Sequence, residues 1–92
     1  MEKKIKWRKK AKARLQEIYN FLYKKWGEKA TEDFLDLLER DLELLLIFPN
    51  MGILSEEKPL IRKFLVTKHN YLIYTIRKGY LIVLNIQDTR MQ

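Results

Sequence analysis

Residues 70–88 read NYLIYTIRKGYLIVLNIQD, and this stretch limits the fold more than any other. Its two halves are rich in β-branched and aromatic residues. They are joined by Lys78-Gly79, a two-residue loop with the glycine that a tight β-hairpin requires. In a strand, alternate side chains point to opposite faces. Residues 70–77 therefore set Tyr71 and Ile73 on one face and Leu72, Tyr74 and Ile76 on the other. Both faces are apolar. Helices of the same chain can cover only one, which leaves the second for something else, such as a bound peptide.

The covering helices are legible upstream. From Ala11 the apolar period lengthens to that of a helix, with Ala11, Leu15, Ile18, Tyr19, Leu22 and Trp26 on one face. Gly27 follows, where a left-handed C-terminal cap is expected. A second helical pattern starts at once, marked by Ala30, Phe34, Leu37, Leu38, Leu42, Leu45 and Phe48, and ends at Pro49-Asn50 and Gly52. Its polar side is acidic, with Glu32, Asp33, Asp36, Glu39 and Glu43 forming a solvated face. Leu35, Leu44, Leu46 and Ile47 widen its apolar stripe, so this helix is either buried between layers or left with a patch for a partner.

Two further strands complete the pattern. Residues 3–8, KKIKWR, alternate lysine with Ile5 and Trp7, as an edge strand protected by charge does. Residues 60–66, LIRKFLV, form another strand after GILSEEKP, which reads as a polar loop. A strand, two helices and then three strands predict an α+β fold: an N-terminal strand, an α-hairpin and an antiparallel three-strand meander. The 92 residues suit a single domain spanning 1–92.

Charge is segregated along the chain. Residues 1–14 carry +7, residues 15–57 carry −6 and residues 58–92 carry +6. A basic surface built from both ends of the chain attracts nucleic acid or an acidic protein. With no cysteine and one histidine, neither a disulfide framework nor a thiolate metal site can form, and no metal or other cofactor is expected. No phosphate-binding loop or dinucleotide fingerprint is present. The basic N-terminus lacks a following apolar stretch, and the longest apolar run, LLLIF at 44–48, is too short for a bilayer. A cytoplasmic protein with no membrane partner is the expectation. Arg62-Lys63, Lys68, Arg77-Lys78 and Arg90 lie on or beside the strands, and arginine's planar fork suits phosphate.

The ordered set IKW, IYNFL, FPNMG, IRKFLVTKHNYLIYTI and VLNIQDTR resembles the RelE/ParE superfamily, the toxins of type II toxin–antitoxin modules, over about residues 3–90. FPNMG, Arg62, HNYLIYTI and the terminal DTR favour the ParE-like branch. One departure is Arg8, which stands where relatives often have a helix-capping serine. The resemblance implies a toxin that arrests growth and is neutralised by a cognate antitoxin. ParE-like members poison DNA gyrase without catalysis. RelE-like members cut mRNA on the ribosome, which needs a base, cations for the phosphate and an acid for the leaving oxygen. An inactive toxin-like binding module is the third possibility.

On the nuclease reading the catalytic candidates are Arg62, Lys68, His69, Arg77 and Asp88. The strand end at Gln87-Asp88-Thr89 lacks the His/Tyr or Arg/Tyr pair of that branch, which favours gyrase over the ribosome. The target-binding candidates are Arg62, Lys63, Arg77, Asp88 and Arg90. The antitoxin-binding candidates are Leu35, Leu42, Leu46 and Ile47 on the second helix, with Tyr71 and Ile73 on the open sheet face. Asp88 and Arg90 share a face, and Arg62 is expected to pair with Asp88 as a clasp that orders the chain end.

Overall fold

The computed structural model describes residues 4–89. The elements are β1 (Ile5–Trp7), α1 (Lys9–Trp26), α2 (Glu28–Ile47), β2 (Ile53–Leu54), β3 (Ile61–Thr67), β4 (Asn70–Arg77) and β5 (Tyr80–Asp88). They build one five-stranded sheet in the order β1-β5-β4-β3-β2, with α1 and α2 packed on one side. The α+β class is the expected one, with one addition. GILSEEKP, read as loop, contains β2, whose Ile53 and Leu54 pair antiparallel with Lys63 and Arg62.

The two helices are joined through a single residue. Gly27 has φ +92° and ψ −175°, an extended mirror-image conformation rather than the left-handed helical one expected, and only glycine adopts it without strain. Its amide donates to the carbonyls of Leu22 and Tyr23 at 3.2 and 3.0 Å, closing α1. Its carbonyl accepts from the amide and the hydroxyl of Thr31 at 3.3 and 3.0 Å, opening α2. The β4–β5 turn is built the same way: Lys78 and Gly79 both have positive φ, +52° and +81°, as a type I′ hairpin demands.

α1 begins without a side-chain cap at Arg8. Its start is fixed by the sheet instead. β1 runs parallel to β5, and the ladder extends through the Arg8 amide to the carbonyl of Val83 at 3.0 Å. The core lies between helices and sheet, where Leu72, Tyr74, Leu81 and Val83 are fully buried against Ala11, Leu38 and Leu45. Each such aliphatic side chain contributes roughly 1.5–3 kcal/mol. Three residues assigned to core faces by periodicity are exposed: Tyr19 at 38%, Trp26 at 65% and Phe48 at 56%. One acid of α2 does the reverse, for Asp41 is buried. Among the described residues no helix is long and apolar enough to cross a membrane.

Candidate functional site

Three surfaces are candidates for binding, and the molecule also contains an internal clamp. The clamp holds the FPNMG loop. Tyr74 donates its phenolic proton to the carbonyl of Pro49 at 2.8 Å and accepts the amide of Gly52 at 3.0 Å. Arg62 Nη1 donates to the carbonyls of Asn50 and Gly52 at 3.1 and 2.7 Å. Burial pushes the Tyr74 phenol above its ordinary range, opposed by the Gly52 amide and by the Arg62 charge. Arg62 thus faces the helices, opposite Tyr74 in the β3–β4 ladder.

This overturns the expected Arg62–Asp88 clasp. Arg62 pairs across the sheet with Tyr74, whereas Asp88 pairs with Asn70 beside Thr67. The two lie at opposite ends of the strands, five residues or about 17 Å apart along β3. Arg90 lies outside the described residues.

The first surface is the open face of the sheet. The register sets Lys6 of β1, Ile61 and Lys63 of β3, Tyr71, Ile73, Thr75 and Arg77 of β4, and Tyr80 and Ile82 of β5 on this side. Two lysines lie over tyrosine rings, Lys6 over Tyr80 at 4.3 Å and Lys63 over Tyr71 at 4.6 Å. Among the described strand residues of this face none is acidic. Tyr71 and Ile73, expected to meet the antitoxin, therefore interleave with Lys63 and Arg77, expected to meet the target. The two sets form one surface, not two.

The second surface runs between α1 and the outer edge of β5. β1 pairs only with Leu81–Val83 of β5, and Arg14 Nε donates to the carbonyl of Ile86 at 3.2 Å beyond it. The Oδ1 atom of Asn85, buried at this edge, lacks a hydrogen-bond partner. A groove of about 520 Å³ continues from there, lined by Arg14, Phe21, Lys25, Trp26, His69 and Asp88 among others. His69 and Asp88 thus share a groove, as Thr89 bonds back to the His69 carbonyl at 2.9 Å. Lys68 is exposed in the adjacent turn. Arg62 and Arg77 are at the other end of the strands, so the five residues of the nuclease set do not converge.

The third surface is apolar and surrounds the end of α2. Ile47 is 68% exposed and adjoins exposed Leu44, Phe48 and Met51. Here the expected antitoxin set needs correction. Leu42 is buried in the core, and Leu35 and Leu46 are half-buried against it, so Leu42 offers a partner only the floor of a shallow groove beside Ile5 and Trp7. Sequence reasoning puts Leu44 on the widened stripe but names Leu35, Leu42, Leu46 and Ile47, not Leu44, for the interface, and of these Ile47 is exposed. Sequence reasoning also misses Lys6 and Tyr80 on the open face; their alternation with Ile5 and Leu81 is the signal that marks them. Among the described residues no group of three or more His, Cys, Asp or Glu side chains is placed to hold a metal.

Comparison with known proteins places this geometry. The family model described as "ParE toxin of type II toxin-antitoxin system, parDE" matches residues 5–92. The fold is similar to a chain of the "Chromosomal ParDE TA system from P. aeruginosa", with a TM-score of 0.75 and 19% identity over 94% of this chain and 95% of that one. It is also similar to a chain of the "YoeB-YefM complex from Staphylococcus aureus", with a TM-score of 0.64 and 9% identity over 95% and 97%. At such identities the likeness speaks for the fold alone. Comparison with curated proteins gives no match.

Proposed function

The chain belongs to the ParE toxin family of type II toxin–antitoxin systems, and from that premise we propose that it arrests bacterial growth by poisoning DNA gyrase in the cytoplasm, without catalysis, until a cognate antitoxin neutralises it. One observation carries the non-catalytic part. The residues that an RNA-cutting centre would draw on are divided between the two ends and the two faces of the sheet. Arg62 is bound to the FPNMG loop, Arg77 is on the open face near the β4–β5 turn, and His69 and Asp88 line a groove beside α1. In-line cleavage by a 2′-hydroxyl requires base, acid and phosphate-binding cation within hydrogen-bond reach of one phosphodiester. This spacing does not provide that.

The antitoxin part is supported by the exposed apolar cluster at the end of α2. Leu44, Ile47, Phe48 and Met51 form a patch of the sort that marks a protein interface. An antitoxin segment that orders on binding would cover it.

The test is pulse labelling just after brief induction of the chain alone, following thymidine and methionine incorporation together. The expected result is early loss of DNA synthesis while translation continues, with gyrase-linked DNA breaks accumulating in vitro. Early loss of translation instead would replace gyrase with the ribosome and make the nuclease reading the correct one.

A further inference from the structure

The open sheet face combines three features: cations on separate strands, aromatic rings beside two of them, and no acid among its described strand residues. Strands are spaced about 4.8 Å apart and residues about 3.4 Å along them, so Lys6 on β1 and Lys63 on β3, three strand spacings across the sheet and two residues offset in register, stand about 16 Å apart. Arg77 lies four residues from Ile73, the partner of Lys63, or about 13 Å along β4. The three charges mark out a broad patch rather than a point. Lys6 and Lys63 are held over Tyr80 and Tyr71, which fixes the ammonium groups at the surface and lowers the cost of ordering them on binding. Tyr80 is 37% exposed, so part of its ring remains open to a second partner.

We infer that this face binds nucleic acid directly. Lys6, Lys63 and Arg77 contact phosphates, and Tyr71 and Tyr80 offer ring surface to bases. A sheet that carries cations and aromatic rings together matches the general chemistry of single-strand binding, in which a basic surface tracks the backbone and rings stack on bases without regard to sequence. An acidic protein segment is the rival occupant. Such a segment anchors through apolar side chains seated in pockets. Four prominent grooves among the described residues are lined by helix, loop and edge residues, and Lys63, Tyr71, Arg77 and Tyr80 line none of these four. The inference goes beyond the gyrase reading and does not depend on it. If both hold, the toxin touches the DNA that gyrase has bound.

The experiment uses the full chain and a fluorescein-labelled single-stranded DNA of about 16 nucleotides, within the usual site-size range. Anisotropy is followed between 50 and 200 mM salt, without gyrase. Binding is expected with a log–log salt slope of about −2, as three phosphate contacts on a single strand give. The triple variant K6E/K63E/R77E is expected to bind at least about tenfold more weakly at 150 mM salt, where charges beyond about 8 Å are screened. The variant K9E/K12E/K24E changes net charge equally on exposed positions of α1 and is expected to lose far less. Tyr80→Leu, with its fold checked by circular dichroism, is expected to weaken binding several-fold with the salt slope unchanged. Equal losses in the two triple variants would overturn the inference, since binding would then follow net charge alone. So would absence of DNA binding, or capture of a poly-glutamate peptide in preference to DNA. Growth arrest, scored on the same variants, reports separately on gyrase.

Discussion

The phenolic oxygen of Tyr74 lies 3.0 Å from the amide nitrogen of Gly52, 22 residues earlier in the chain. That bond, with the one to Pro49, ties the loop after α2 to the middle of the sheet. A β-carbon on Gly52 would stand 2.6 Å from the Tyr74 hydroxyl and 3.0 Å from the carbonyl of Lys63, closer than atoms tolerate. Gly52→Ala is therefore expected to destabilise the fold by about 1–3 kcal/mol, as overpacking of a filled site does. Tyr74→Phe leaves the space unchanged and removes both hydrogen bonds, for about 1–2 kcal/mol. Urea titration of both variants, with unchanged slopes, is the check.

Arg62 completes the same clamp, and its role can be separated from target recognition. Its Nη1 reaches two backbone carbonyls of the loop. Arg62→Ala should cost about 1–2 kcal/mol of stability because those carbonyls lose a charged donor. Arg77→Ala, on an exposed position, should stay within about 0.5 kcal/mol. If growth arrest is lost in both, equilibrium unfolding tells which loss follows from folding. An Arg62→Ala variant as stable as the parent would show that the clamp is not what Arg62 is for.

How far the sequence disclosed this arrangement depends on what kind of signal each part left. The hairpin and both helices carry long, regular periods, and their bounds are legible. β2 does not. It is two residues long, flanked by Gly52 and by Ser55-Glu56, and exists because Lys63 and Arg62 are placed beside it. Trp26 and Phe48 fall on the right helical face yet are exposed, since periodicity gives direction around a helix axis and not how far along it the sheet reaches. Arg62-Lys63 reads as one basic cluster, but neighbours in a strand face opposite ways, so the pair is divided between clamp and open face. The β5 register shifts between its partners Ile73 and Tyr74, where Leu84 is the extra residue. Past that point, alternation counted from Gly79 assigns the wrong face. The grouping of His69 with Asp88 and Trp26 is a product of tertiary packing that no local pattern carries.

The start of α1 offers a gain rather than a loss. Arg8 occupies the N-cap position with φ −72° and ψ 155°, a conformation suited to capping, but its side chain makes no cap bond. The first turn contains no acid, and Lys9 and Lys10 sit at the positive end of the helix dipole. Arg8→Asp supplies an acceptor for the free amides and reverses an unfavourable charge, while the backbone bond from residue 8 to Val83 is untouched. Stability should rise by about 1 kcal/mol, which for a chain of this size is a shift in Tm of about 4–8 °C. A Tm unchanged or lowered in thermal unfolding would mean that the Arg8 side chain makes a contribution of its own.

Asp41 gives a prediction that depends on pH. It lies on the core face of α2, at helical spacing from Phe34, Leu38 and Leu45, is 6% exposed, and Arg40 reaches it only at 3.8 Å. Burial raises its carboxyl above the ordinary value, and the Arg40 charge offsets this in part. The folded chain therefore holds the proton over a pH range in which the unfolded chain has released it. This residue's contribution to stability is full below the unfolded pKa, declines as pH rises through the folded one, and stays reduced at neutral pH. Asp41→Asn has no such charge to bury. It should be more stable than the parent at pH 7, on the order of 1 kcal/mol, and the difference should close as pH falls below the ordinary aspartate value. Denaturant midpoints for parent and variant from pH 3 to pH 8 test both halves. A variant less stable at pH 7 would show that the ionised carboxylate is held by its surroundings and that the contact with Arg40 outweighs the cost of burial.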